Sequence, residues 1–253
     1  MINRRYLLAV TIPLHIFTLI GVWVLPFELI DICLLFIGYV LIGGLGVNVG
    51  LHRWASHRSV QITSTAKKTI LLFSTLACQG HPLWWAAVHR NHHRYSDTKK
   101  DYHSPVNTSN WHAFFGWIIQ HDPTNVNLKR CPDLLKDKTV LKFHRMYYII
   151  VWCTWITFAL IAPHILVWML LVPAVIALHS EGLVNAFCHG KQNRNFNTND
   201  SSNNNIFLGW LDWGNGWHNN HHYRPGSYNF GYGVSGKKTE FDPCVIFLPF
   251  IAK

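Results

Sequence analysis

Three short runs carry eight imidazoles: His52-Arg53-Trp54-Ala55-Ser56-His57, His89-Arg90-Asn91-His92-His93 and His218-Asn219-Asn220-His221-His222. Imidazole nitrogen is a ligand for Fe, Zn, Cu and Ni. On a helix, residues three and four apart share a face. His89, His92 and His93 therefore project together, and so do His218, His221 and His222. One ion takes roughly four to six ligands, so eight clustered histidines are the makings of a site for two metal ions. Asn185 and His189 are four apart and share a face as well: His189 adds a ninth ligand, and Asn185 is suited to hold a metal-bound water. The scattered histidines (His15, His81, His103, His112, His121, His144, His164 and His179) read as ordinary polar residues.

The elements that must position these runs are strongly apolar. Of 253 residues, 49% are hydrophobic and 13% charged, half the charge usual in soluble domains. Four apolar segments stand out, at about residues 6–25, 29–51, 147–162 and 164–184. A spanning helix needs about 20 residues; the first two reach that length, and the last two form a tighter hairpin around Pro163. The first segment reads as a span rather than a signal peptide, since a second follows at once with no small-residue cleavage site between them. The glycines at 38, 43, 44, 46 and 50 in the second segment suggest close helix contacts. A shorter apolar run, Thr69 to Ala77, is expected to bury in the cap or lie in the membrane interface. Residues Asn193 to Asn205 lack apolar periodicity and read as a loop. The six cysteines form no CxxC pair, which fits a reducing compartment or burial.

Charge sets the orientation. All 22 Lys and Arg fall in the stretches 4–5, 53–145 and 191–253, and the gaps hold the two hairpins. By the positive-inside bias, both termini and the central region face the cytoplasm. The expected fold is an all-α integral membrane protein, one domain over 1–253: four transmembrane helices in two hairpins under a helical cytosolic cap (52–146 and 185–253) that carries the histidine-rich site. This topology brings all the clusters to one side of the membrane. No nucleic-acid motif accompanies the net charge of +10; the topology bias, anionic lipid head groups and phosphorylated substrates account for it better.

The clusters resemble those of the membrane fatty acid desaturases, specifically the acyl-CoA Δ9 (stearoyl-CoA desaturase-like) group, which shows HxxxxH, HxxHH and HxxHH in this order. The resemblance extends to Asn185 and His189 as Asn-x-x-x-His, to the stretch from Ser96 to Pro105, to Arg194-Asn195-Phe196 and to the run from Thr198 to Asn204. It implies a di-iron centre held by His52, His57, His89, His92, His93, His189, His218, His221 and His222, with Asn185 reaching one iron through water. It also implies that Gln79 and Trp85 line the bend of an acyl tunnel, with ordinary cap packing as the other reading. Asp97 and Asp101 are candidates to accept hydrogen bonds from ligand histidines; alternatively they cap helices or pair with Arg94 and Lys99. Two positions depart from the family: Asn215 stands where Glu is common, and Tyr102 where Pro is common. Loss of that Glu removes a carboxylate able to orient a ligand imidazole, and on sequence alone Asn215→Glu is expected to keep or raise activity.

The implied reaction is O2-dependent insertion of a cis double bond, at Δ9, into a saturated acyl chain carried on CoA or on a lipid. No side-chain acid or base removes hydrogen from an unactivated chain, so the metal centre must. With no cytochrome b5-like extension in the sequence, electrons are expected from a separate protein such as cytochrome b5, or ferredoxin with its reductase. Two other readings compete. A histidine-rich di-iron lipid hydroxylase shares the ligand pattern. A non-enzymatic membrane metal-binding protein would place its ligands at mid-membrane, whereas these clusters sit at helix ends.

Overall fold

The computed structural model describes residues 6–120, 126–190, 192–232, 234, 236 and 240–253. Arg4, Arg5, Lys191, Lys237 and Lys238 of the charge pattern, and His121, lie outside the described residues. Among the described residues every regular element is helical and no strand forms.

Helix α1 (Leu7–Val24) stops because Leu25, ahead of Pro26, is extended, the conformation that a following proline imposes. Helix α2 (Leu29–Ser56) starts at a capping box in which Glu28 and Asp31 satisfy each other's backbone amides. The cap then supplies α3 (Ser64–Leu76) and α4 (Pro82–Tyr95). Two long helices follow, α5 (Lys138–Ile161) and α6 (Ile165–Phe187), and then the short α7 (Ile206–Leu211) and α8 (His218–Tyr223).

Helices α1, α2 and α6 are long and apolar enough to cross a membrane. Helix α5 has 24 residues, but its first turns carry Lys138, Lys142 and Arg145, which leaves an apolar part shorter than a full span needs. Leu19, Trp23, Leu29 and Phe36 on the first hairpin are exposed, as are Leu160 and Ile161 on α5. So wide an apolar surface is unsuited to water. At the turn end of the hairpins, buried Asp31 accepts from His164 Nδ1 at 3.0 and 3.2 Å, which ties the start of α2 to the start of α6.

From Val40 to Ser56 helix α2 is wide, each turn closing on the carbonyl five residues back. Its small residues make this the central strut. A Cβ on Gly46 would come within 2.7 Å of the Phe73 backbone, and Ser74 Oγ donates to Gly46 O at 2.7 Å. Glycine is therefore what lets α3 lie directly on α2. On another side, Arg90 of α4 forks onto Asp133 at 2.7 and 2.8 Å and donates to the carbonyls of Ala55 and Ser56. Held in place by its bidentate pair with Asp133, Arg90 fixes the helix carrying the second histidine run to the end of the helix carrying the first through those two carbonyls.

Candidate metal centre

The wide turns of α2 decide where its two histidines point. His57 is five positions on from His52, which on an ordinary α-helix sends them to different faces. In a helix whose N–H groups bond five residues back, residues five apart stack. The His57 amide donates to His52 O at 3.2 Å, and the two rings lie 5.0 Å apart. Helix α4 begins on Pro82 and delivers His89, His92 and His93 in its last two turns. His189 follows α6 directly, paired with Ser202 in an isolated bridge.

The loop from Asn193 to Asn205 positions α8. Asn204 Oδ1 accepts from the amides of Asn219 and Asn220 at 3.0 and 3.3 Å, satisfying donors that a helix start leaves free. Asn219 Oδ1 in turn accepts from the amides of Asn195 and Phe196, both at 2.8 Å. Asn219 and Asn220 are completely buried. The two asparagines inside the third histidine run are thus the fixings that aim its imidazoles. Absent apolar periodicity correctly marks a loop here, but amides rather than apolar side chains hold it to the core.

The nine histidines converge as two groups. His52, His57, His89, His93 and His221 form one; His92, His189, His218 and His222 form the other, with the nitrogens of each group within 4.8 Å of one another. The Nε2 separations are 3.0 Å for His52–His221, 2.8 Å for His57–His89, 3.0 Å for His89–His93, 2.9 Å for His93–His221, 3.3 Å for His92–His222 and 3.0 Å for His189–His218. Two nitrogens about 2.1 Å from one ion, and at right angles, lie about 3 Å apart. The spacing therefore fits ligands drawn around a cation.

The outer nitrogens make the same point. His92 Nδ1 meets Asp101 at 2.9 Å, His189 Nδ1 meets Asp97 at 3.2 Å and His222 Nδ1 meets Asp200 at 2.7 Å. His52 Nδ1 meets the amide oxygen of Asn215 at 2.8 Å. An Nδ1–H donating outward leaves Nε2 as a lone pair. His92 and His222 thus face each other with two acceptors and no proton to share, an arrangement that a metal ion resolves. Burial, reinforced by neighbouring imidazoles, pushes His57, His89, His93, His218 and His221 well below the ordinary histidine range. His222 is lowered to about 4 by burial, which Asp200 only partly offsets. Neutral imidazole is the ligating form. Burial raises the Asp97, Asp101 and Asp200 carboxyls, but the facing imidazoles outweigh it and hold all three below the usual carboxylate range.

A cavity opens beside both groups. His52, His89, His92 and His218 line one side, and Trp84, Phe114, Trp117 and Leu178 supply apolar wall. Gln79, Trp85 and Asn185 line it too. Trp85 donates from Nε1 to Gln79 Oε1 at 3.1 Å and lies nearly parallel to the His89 ring at 5.0 Å. Asn185 is one turn ahead of His189.

Two residues emerge that the sequence reading did not single out. Asp200 accepts from His222, and its other oxygen is held by Thr198, Ser202 and the Ser202 amide. The run from Thr198 to Asn204 was its only sequence signal. His103, read as an ordinary polar residue, packs 4.5 Å from the His92 ring and forms a further group with His92 and Asp101.

Residues 29–230 match the family model described as fatty acid desaturase. The chain is 34% identical over 189 residues to the sn-1 stearoyl-lipid 9-desaturase of Anabaena variabilis, covering 73% of this chain and 68% of that protein. It is 31% identical over 226 residues to the hex-5-enoyl-[acyl-carrier protein] acetylenase of Moorena producens, covering 79% and 68%. With the acyl-CoA C20 Delta5-desaturase of Anemone leveillei the identity is 33% over 195 residues, covering 73% and 60%. Across these three relatives the matched part spans 60–68% of their length. With the match running from the start of α2 through α8, the chain belongs to the fatty acid desaturase family, oxidoreductases that act on fatty acyl chains.

Proposed function

We propose that this protein is an O2-dependent desaturase that places a cis double bond at the Δ9 position of a saturated acyl chain. The observation that carries the reading is the pair of imidazole groups, five and four, opening on one apolar-walled cavity. His52, His57, His89, His93 and His221 would hold one iron; His92, His189, His218 and His222 would hold the other, with Asn185 reaching it through a water. Bound iron supplies the O2 activation and hydrogen abstraction that no side chain can perform. The chain's own residues do the rest. Asp97, Asp101, Asp200 and Asn215 fix the imidazole tautomers. Trp84, Phe114, Trp117 and Leu178 exclude water around an alkyl chain, and Gln79 and Trp85 form the wall where that chain passes the imidazoles.

Position along the chain follows from how far the acyl group enters before its carbon reaches the imidazoles. The 9-desaturase similarity supports Δ9. Acyl-CoA is the proposed substrate form, with acyl-lipid as its alternative; electrons would arrive from cytochrome b5, or from ferredoxin with its reductase. With α5 as a short fourth span, the termini and the cap would lie together in the cytoplasm. The exposed apolar residues on α5 and the segregated Lys and Arg support that arrangement.

Expression in a desaturase-deficient host, followed by fatty acid profiling, tests the activity. A new Δ9 monoene is expected, lost in His92→Ala and His221→Ala together with bound iron. A hydroxylated product without alkene, or full activity in either variant, would sink the proposal.

A further inference from the structure

Of the nine converging imidazoles, four have a defined Nδ1 partner, and three of those meet a carboxylate: His92 with Asp101, His189 with Asp97 and His222 with Asp200. The fourth, His52, meets a neutral amide. That amide does not end the chain of contacts. Asn215 Nδ2 donates to Glu181 Oε1 at 2.7 Å and to Asp212 Oδ2 at 3.1 Å. The carboxylates on one side fix which end of the amide is nitrogen, and so aim its oxygen at His52.

The two acids have different surroundings. Asp212 is anchored by other donors, Ser180 Oγ at 2.9 Å and Asn48 Nδ2 at 3.3 Å. It has a structural task joining α2, α6 and the turn after α7. Glu181 bonds to Asn215 and lines the cavity beside His52. It is also the only Asp, Glu, Lys or Arg within α6. A lone acid in a helix apolar enough to cross a membrane is expensive and marks a function by default.

We propose that Glu181 is a positioning residue for His52, acting through Asn215: the carboxylate that the other three imidazoles receive directly reaches this one across an amide. Hydrogen bonds in series polarise one another, so Glu181 Oε1, accepting from Asn215 Nδ2, strengthens the Asn215 oxygen as an acceptor for Nδ1–H. That acceptor holds the His52 tautomer and makes its Nε2 a stronger ligand. The inference rests on the proposed two-metal site and adds a residue to it that touches no metal itself.

The crowding gives the inference a reciprocal signature. A carboxylate placed at 215 would meet His52 directly, but it would also remove the Nδ2 donor that Glu181 and Asp212 share and crowd three carboxyl groups together. The test uses metal-depleted full-length protein in detergent, titrated with Co2+, read by affinity and by the visible bands of bound cobalt. Wild type is expected to take up two ions per chain. Glu181→Gln, nearly isosteric, is expected to lower the affinity of one site about tenfold, the low end for outer ligand partners, with altered cobalt bands. Asn215→Glu alone is expected to weaken the same site, and Glu181→Gln combined with Asn215→Glu to recover affinity and bands toward wild type.

Unchanged Co2+ affinity in either single variant would overturn the inference while leaving the two-metal reading intact. A double variant no better than the singles would do the same. Wild type that fails to bind two ions would overturn the proposed metal centre, and this inference with it.

Discussion

At the scale of single residues, the groups behind the imidazoles decide how firmly each ligand nitrogen is aimed. Asp97 and Asp101 lie within a few residues of the second run, so sequence proximity suggested them. Asp200 lies 22 residues from His222 inside an Asn-rich loop, where nothing in the local pattern separates an orienting carboxylate from an ordinary turn residue. Its contacts separate it clearly. One oxygen accepts a hydrogen bond from His222 Nδ1, and the other is occupied by Thr198 and Ser202. Asp200→Asn keeps the shape and removes the charge. It is expected to lower metal affinity at the four-imidazole group by about 10- to 100-fold, measured by Co2+ titration. Affinity equal to wild type would mean that the imidazole needs no charged partner. Asn215 is the opposite lesson. On sequence alone Asn215→Glu promises equal or better activity, because a glutamate there completes a familiar motif. Glu181 and Asp212, within 3.1 Å of the same side chain, reverse that expectation.

Among the elements, helix α2 differs most from its sequence reading. The apolar stretch ends near residue 51, where polar residues begin, but the helix runs on to Ser56. Hydropathy locates the end of an apolar face and says nothing about where hydrogen bonding stops. Nor does a sequence reveal that the ladder closes five residues back, although that register is what brings His52 and His57 together. Helix α5 shows the same limit from the other end: it starts at Lys138, well before the apolar part that begins near residue 147. The glycines of α2, by contrast, were legible as contact points, and Gly46 is one. Gly46→Ala would set a methyl against the Phe73 backbone at 2.7 Å, and backbone has no rotamer to give. A loss of about 1–3 kcal/mol is expected, seen as a lower thermal midpoint of the detergent-solubilised protein. Since α3 would be displaced more than α4, metal affinity should fall less than stability does. Equal stability of Gly46→Ala and wild type would mean that α3 packs more loosely on α2 than this geometry requires.

For the molecule as a whole, the site is an electrostatic debt that the fold carries until a cation arrives. Six histidines outside the membrane-spanning helices (His57, His89, His93, His218, His221 and His222) are held below the ordinary histidine value of 6.5, His222 at about 4. Between 6.5 and those folded-state values the unfolded chain binds protons that the folded chain refuses. Stability therefore rises with pH across that window and is lost as pH falls through it, by up to about 1.4 kcal/mol per pH unit for each proton taken up. The lowered carboxylates Asp97, Asp101 and Asp200 act in the same direction at still lower pH, as the unfolded chain protonates near 3.8. Asp212 opposes them. Burial raises its carboxyl to about 6, so its contribution is present below 3.8 and lost as pH rises through 6. His92 opposes them too: burial lowers its imidazole, but the Asp101 carboxylate outweighs burial and raises it above 6.5, so its contribution is lost as pH rises. These few groups do not outweigh the six lowered imidazoles, so the sign stands. Metal-free protein is expected to lose thermal stability steadily from pH 7 to pH 5. Protein loaded with Co2+ should hold its midpoint until protons displace the metal, and then lose it more abruptly, because bound metal adds its binding free energy to the folded state. Thermal melts at pH 7, 6 and 5, with and without Co2+, read both curves. A metal-free protein as stable at pH 5 as at pH 7 would mean that the imidazoles are not held neutral by the fold, and that the two groups are assembled by the metal rather than waiting for it.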